Sequence, residues 1–170
     1  MQLTFAVAAA CLAVFLSTST SYAQSSRGSA YEAVFGACRG ETCVIRSNPG
    51  GDVRKFLAAA AEVRRGPKRM IVIDGPCASA CAIFADIARK RVCITDRASF
   101  GFHKASVFRA QDLGGVRKWE RVRRHDPEHS RDIADWVYRN GGFPMKGLNV
   151  MSAHEGAQFW RRCELRTRRS

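Results

Sequence analysis

Ser79 lies between two alanines in the run Gly75-Pro76-Cys77-Ala78-Ser79-Ala80-Cys81, and His103 closes the run Phe100-Gly101-Phe102-His103 further along the chain. Upstream, Ser47-Asn48-Pro49-Gly50-Gly51-Asp52 forms a glycine turn. These residue types are the parts of a hydrolytic site. A serine becomes a nucleophile when a base lies within hydrogen-bond reach, and the oxyanion that develops needs aligned N–H donors. All three parts can be drawn from these segments. Each also has a plainer reading. Ser79 could be a small residue capping a helix, His103 a satisfied core histidine, and Gly50-Gly51 a tight turn that uses glycine's freedom at positive φ. His125, His129 and His154 lie in polar surroundings and are expected to be solvated.

The elements that must position these residues follow from hydrophobic pattern and punctuation. Glu41–Ser47 reads as a short strand centred on Val44 and Ile45. Asp52–Arg65 reads as an amphipathic helix with Val53, Phe56, Leu57, Ala60 and Ala61 on one face, stopped by Gly66-Pro67. Met70-Ile71-Val72-Ile73 is a continuous apolar strand, the pattern of a strand covered on both faces. Ala78–Arg89 is apolar on most sides and reads as a buried helix. Arg91–Ile94 and Ala98–His103 read as further strands. This alternation predicts an α/β domain with a mainly parallel sheet and flanking helices, in which ligands sit beyond the carboxyl ends of strands. Val107–Glu128 is basic and poorly periodic and is expected to form a surface loop or a short helical lid. His129–Arg139 reads as a helix with Ile133, Ala134, Trp136 and Val137 inward. Met151–Trp160 reads as a short helix, with Ser152 as N-cap and Glu155 three residues on.

The amino-terminal residues 1–23 read as a signal peptide. Leu3–Leu16 is an almost unbroken apolar run, and Ser21-Tyr22-Ala23 fits a cleavage site before Gln24. A periplasmic or secreted protein is therefore expected, with residues 24–40 as a linker, 41–165 as one domain, and 166–170 as a basic tail. Outside the signal segment lie Cys38, Cys43, Cys77, Cys81, Cys93 and Cys163. An even set in an exported chain suggests disulfides, Cys38–Cys43 being a plausible local loop, although six cysteines allow 15 pairings. No metal site is expected, because no Cys-x-x-Cys pair occurs and no His lies at ligand spacing from a Cys pair. The net charge is +13, with basic residues clustered in Arg64–Arg69, Arg89–Arg91, Arg117–Arg124 and Arg161–Arg169. Such a chain presents a solvated basic face or meets an anionic partner such as an envelope surface. Export, and the lack of an aromatic stacking stripe or zinc-finger spacing, argue against nucleic acid.

Four pieces in order resemble the Clp protease proteolytic subunit within the ClpP/crotonase superfamily, and more closely that superfamily's exported, uncharacterised bacterial members. They are Ser47-Asn48-Pro49-Gly50-Gly51, Gly75–Cys81, Ala98–Lys104 and Met151-Ser152-Ala153-His154-Glu155-Gly156-Ala157. The resemblance covers Val44–Phe108 well and Gly142–Trp160 loosely. It implies a ClpP/crotonase-like fold, Ser79 as nucleophile, His103 as its base, and Gly51 and Ala80 as oxyanion donors. Two departures stand out. The family's triad acid falls near Leu148 here, and no carboxylate lies between Asp135 and Glu155. Asn149, or Asp132 or Asp135 folding back, are the groups left to orient His103. Only Gln24–Gly40 precedes the first strand, too little for the family's further strand–helix unit. The sheet is thus expected to be truncated at its N-terminal edge or completed by a partner subunit in a homo-oligomer.

Three functions are compatible with this reading. The first is an exported serine hydrolase acting on a peptide or ester, without a cofactor. The second is an inactive superfamily member that binds a peptide or acyl group. The third is a basic, disulfide-bonded envelope protein. Coenzyme A chemistry is disfavoured, because that cofactor is not expected outside the cytoplasm.

Overall fold

A computed structural model describes residues 28–164; the expected signal peptide and basic tail lie outside the described residues. Among the described residues the first element is a short helix α1 (Glu32–Phe35), followed by β1 (Thr42–Ile45), α2 (Val53–Arg65), β2 (Met70–Ile73), β3 (Pro76–Ala78), α3 (Ala80–Ile87), β4 (Val92–Ile94) and β5 (Ser99–Phe102). There follow β6 (Ala105–Leu113), β7 (Val116–His125), α4 (Arg131–Arg139), β8 (Asn149–Ser152), α5 (Ala153–Gly156) and β9 (Arg161–Arg162).

The protein is mixed α/β. Its main sheet has the order β1-β2-β4-β9 and every pairing in it is parallel. Ile71, Ile73, Val92 and Ile94 are fully buried there, as continuous apolar runs require when both faces are covered. Helix α2 is opened by Asp52, whose side chain accepts from the Arg54 N–H at 3.1 Å. It buries Phe56, Ala59, Ala60 and Val63. Leu57, expected on that face, is instead exposed. Helix α3 is buried from Ala80 to Asp86. Part of the expected linker is packed: Tyr31 is only 2 % exposed, and its N–H and the Ser29 hydroxyl both donate to Glu62. Strand β1 lies at the edge of the sheet.

A second sheet has the order β3-β5-β8. β3 and β5 run parallel, with Ala78 opposite Gly101, and β8 runs antiparallel to β5. Two expectations change here. Residues 76–78 form a strand before the helix begins at Ala80. Met151, expected at a helix start, is fully buried in β8 opposite Phe100. The expected cap is present: the Ser152 side chain accepts from the Glu155 N–H, and the Glu155 carboxylate accepts from the Ser152 N–H.

Most of Val107–Glu128, expected as a loop or helical lid, belongs instead to a long antiparallel hairpin, β6–β7, spanning Ala105–His125. Its turn is Gly114-Gly115, at φ +64° and +88°, the left-handed pair that two-residue hairpin turns demand. Strand β7 is exposed along almost its whole length, so no buried face imposes an alternating pattern on the sequence.

Three disulfides join Cys38 to Cys43, Cys77 to Cys81 and Cys93 to Cys163. Such bridges indicate an oxidising, extracytoplasmic setting. Among the described residues, no helix is long and apolar enough to cross a membrane.

Candidate functional site

Strands β3 and β5 end side by side, and the residues leaving them are Ser79 and His103. The Ser79 N–H donates to the Gly101 carbonyl at 2.7 Å. His103 follows two residues later, ~7 Å further at the usual rise of a strand. Ser79 has φ 56° and ψ −123°, and it is the one non-glycine residue with positive φ among the described residues. A strand-to-helix turn strained in this way lifts a serine hydroxyl clear of the backbone on both sides.

The glycine turn packs directly on this elbow. Asn48 pairs with Cys77; its N–H donates to Pro76 and its carbonyl accepts from Ala78. Asn48 also accepts the Gly50 N–H on its side-chain oxygen at 2.8 Å. A Cβ at Gly50 would come 2.8 Å from the Ala80 nitrogen and 2.8 Å from the Ser79 Cβ, and φ there is +89°. Only glycine fits. The N–H groups of Gly51 and Ala80 have no backbone acceptor among the described residues. Ala80 opens α3, so the positive end of that helix adds to its N–H.

Gly51, Ser79 and His103 line one cleft of about 1340 Å³. Its walls come from α2, α3 and the hairpin, which contributes Phe108 and Trp119. Leu57 also lines it, which is why that leucine is 42 % exposed. Ser79 and His103 are half-buried. The His103 Nδ1 lies 2.9 Å from the Lys104 carbonyl oxygen. A carbonyl can only accept, so this contact calls for a proton on Nδ1, and in the neutral imidazole of that tautomer Nε2 is the acceptor.

None of the three expected side-chain orienters is hydrogen-bonded to His103 among the described residues. The Asn149 side-chain nitrogen donates to the Val137 and Gly142 carbonyls at 3.2 and 3.0 Å, tying β8 to the end of α4. Asp135 is on the exposed side of α4. Asp132 is held by Arg89 at 2.5 Å. The orienting partner of His103 is a backbone carbonyl.

The cleft holds a second group of polar residues that sequence reasoning missed. Asp86 on α3 is 7 % exposed. It accepts from the Ser130 N–H at 2.8 Å, the Ser130 hydroxyl at 2.7 Å and Arg89 at 2.7 Å. His129 Nδ1 lies 3.2 Å away, and its side chain is only 1 % exposed, edge-on to Phe102. His129 is thus not solvated as expected, whereas His125 and His154 are exposed. Burial opposes the Asp86 charge, but the hydrogen bonds from His129, Ser130 and Arg89 outweigh it and hold the carboxyl at about 2. The available signal was a lone carboxylate in an otherwise apolar helix, which must find partners.

A carboxyl whose pKa is lowered by folding stabilises the fold above its unfolded value, and the benefit fades as pH falls through the folded value. For Asp86 this contribution is about 2 kcal/mol, lost between about pH 4 and pH 2. We expect Asp86→Asn to lower the urea midpoint at pH 7 and to flatten its decline below pH 4. An acid limb equally steep in the variant would exclude Asp86 as its source.

Among the described residues, no group of three or more His, Cys, Asp or Glu could hold a metal ion. No protein-family model, curated protein or solved structure matches the chain.

Proposed function

We propose that this protein is an exported serine hydrolase of ClpP/crotonase-like fold, periplasmic or secreted, acting on a peptide or ester. The observation that carries the reading is the Ser79 elbow, strained at positive φ and packed against Gly50 beside two N–H groups without backbone acceptors. In the proposed reaction, His103 Nε2 takes the Ser79 proton as Oγ bonds to the substrate carbonyl carbon. The oxyanion is held by the Gly51 and Ala80 N–H groups. The protonated His103 then gives its proton to the leaving amine or alcohol as the scissile bond breaks. Water, activated by the same imidazole, releases the acyl group and restores Ser79. The Lys104 carbonyl keeps Nδ1 protonated throughout. It carries no full charge, so it stabilises the imidazolium less than a carboxylate does, and a slow enzyme is expected. The cleft exceeds the roughly 300–1,000 Å³ of common small-molecule sites, which favours an extended substrate.

That same weak orienter favours a second reading, a binding protein that holds a peptide or acyl group in this cleft without cleaving it. A fluorophosphonate probe separates the two. The hydrolase should be labelled at one site, found by peptide mass analysis on Ser79. A folded protein with intact disulfides that takes up no label is a binding protein.

A further inference from the structure

We infer that the Cys77–Cys81 disulfide is a positioning device for Ser79, holding the elbow in the backbone conformation that presents Oγ to the cleft. This rests on the reading of Ser79 as a nucleophile. Cys77 lies two residues before Ser79 on β3, and Cys81 two residues after it on α3. Both are fully buried. Their Cα atoms are 5.2 Å apart. A five-residue extended segment would hold them about 13 Å apart, and a disulfide tolerates no more than about 7 Å. The bridge therefore closes the extended path to this segment. The chain cannot reverse before Ser79, because Cys77 and Ala78 are paired with Phe100 and Gly101 on one side. On the other side Ala78 donates to Asn48 at 2.9 Å. From Ala80 onward the chain is helical. The reversal must fall on Ser79, where a non-glycine residue stays at positive φ only if its surroundings over-determine it.

The other local bridge, Cys38–Cys43, has a sequence separation of 5 against 4 for Cys77–Cys81. The two should restrict the unfolded chain almost equally. Only one brackets the serine, which makes the other a matched control.

The test compares Cys77→Ala/Cys81→Ala with Cys38→Ala/Cys43→Ala, measuring the second-order rate of fluorophosphonate labelling at Ser79 and Tm. Displacing the hydroxyl by about 1 Å should slow labelling by about 100-fold in the first variant. The control should stay within about threefold at a similar loss of Tm. Equal labelling rates would overturn the inference. Where the alanine pair fails to fold, Cys77→Val/Cys81→Ala restores volume and takes its place. A second arm needs no hydrolysis. Removing the bridge lets a strained Ser79 relax, which offsets part of the cost, whereas in a Ser79→Gly background there is no strain to release. Bridge removal should therefore lower Tm by about 4 °C more in the Ser79→Gly background than in the native one. Equal losses would overturn the inference. A native protein that is never labelled removes the hydrolase reading alone, and the Tm comparison still decides the positioning role.

Discussion

Ser79→Ala should reduce kcat on an activated ester by about 10⁴- to 10⁶-fold while leaving KM within a few-fold. The substitution removes the nucleophile and leaves the cleft and the two N–H donors in place. Substrate should therefore bind as before and polarise as before, without covalent attack. His103→Ala should fall to nearly the same level, because a neutral serine hydroxyl attacks poorly without a base. Combining the two should cost little more than either alone, as expected for groups that act as one unit. Steady-state kinetics on the native protein and the three variants would check this, with circular dichroism to show that each is folded. An unchanged rate in Ser79→Ala would place any activity elsewhere and leave the cleft with a binding role.

The second large effect concerns stability. Removing the Cys93–Cys163 bridge by Cys93→Ala/Cys163→Ala should cost about 4 kcal/mol, by the chain-entropy relation for a bridge with sequence separation 70. The same relation gives about 2 kcal/mol for the local bridge Cys38–Cys43, with sequence separation 5. What the long bridge retains is visible in the fold. Cys163 follows β9, the outer strand beside β4, and its N–H donates to Ile94 at 2.9 Å. Just before β9, Trp160 is 1 % exposed. Its ring stacks on Phe100 at 4.0 Å, and its indole N–H donates to the Ala85 carbonyl at 3.0 Å. Without the bridge, a two-residue strand must keep this tryptophan seated. Urea unfolding of the oxidised protein and the double variant would measure the loss. A difference below about 1 kcal/mol would show that the strand and the tryptophan suffice.

Most of the alternation of strand and helix from Thr42 to Phe102 was legible in the sequence because local signals agreed there, but the short strand β3 and the division into two sheets were not. Apolar runs such as Met70–Ile73 were bounded by Gly66-Pro67 and Gly75-Pro76, and the cap at Ser152 fell where its side chain could reach an orphan N–H group. Ser79, His103 and Gly51 proved to line one cleft for the same reason: each sits where an element ends. What was not legible depends on distant pairing. Asn149 has the right chemistry to orient an imidazole, but its amide is taken by carbonyls at the end of α4. His129 looks polar by its neighbours, yet is buried by Phe102, Asp86 and the turn into α4. Leu57 fits a core face by helical spacing but lines the cleft, because the hairpin rises opposite it. The hairpin itself was hidden because neither of its strands has a core to face.

That hairpin has one more consequence. A two-stranded ladder leaves an open hydrogen-bonding edge on each side, and such edges recruit matching strands from other molecules. The arm from Ala105 to His125 carries Arg109, Arg117, Lys118, Arg121, Arg123 and Arg124 against only Asp112 and Glu120. Two arms approaching edge to edge would bring like charges together before the backbones could pair. Part of the +13 surplus would thus oppose such edge-to-edge pairing. Its range is the Debye length, so it thins from about 10 Å at 0.1 M salt to about 3 Å at 1 M. Concentrated salt would uncover the arm's tendency to stack.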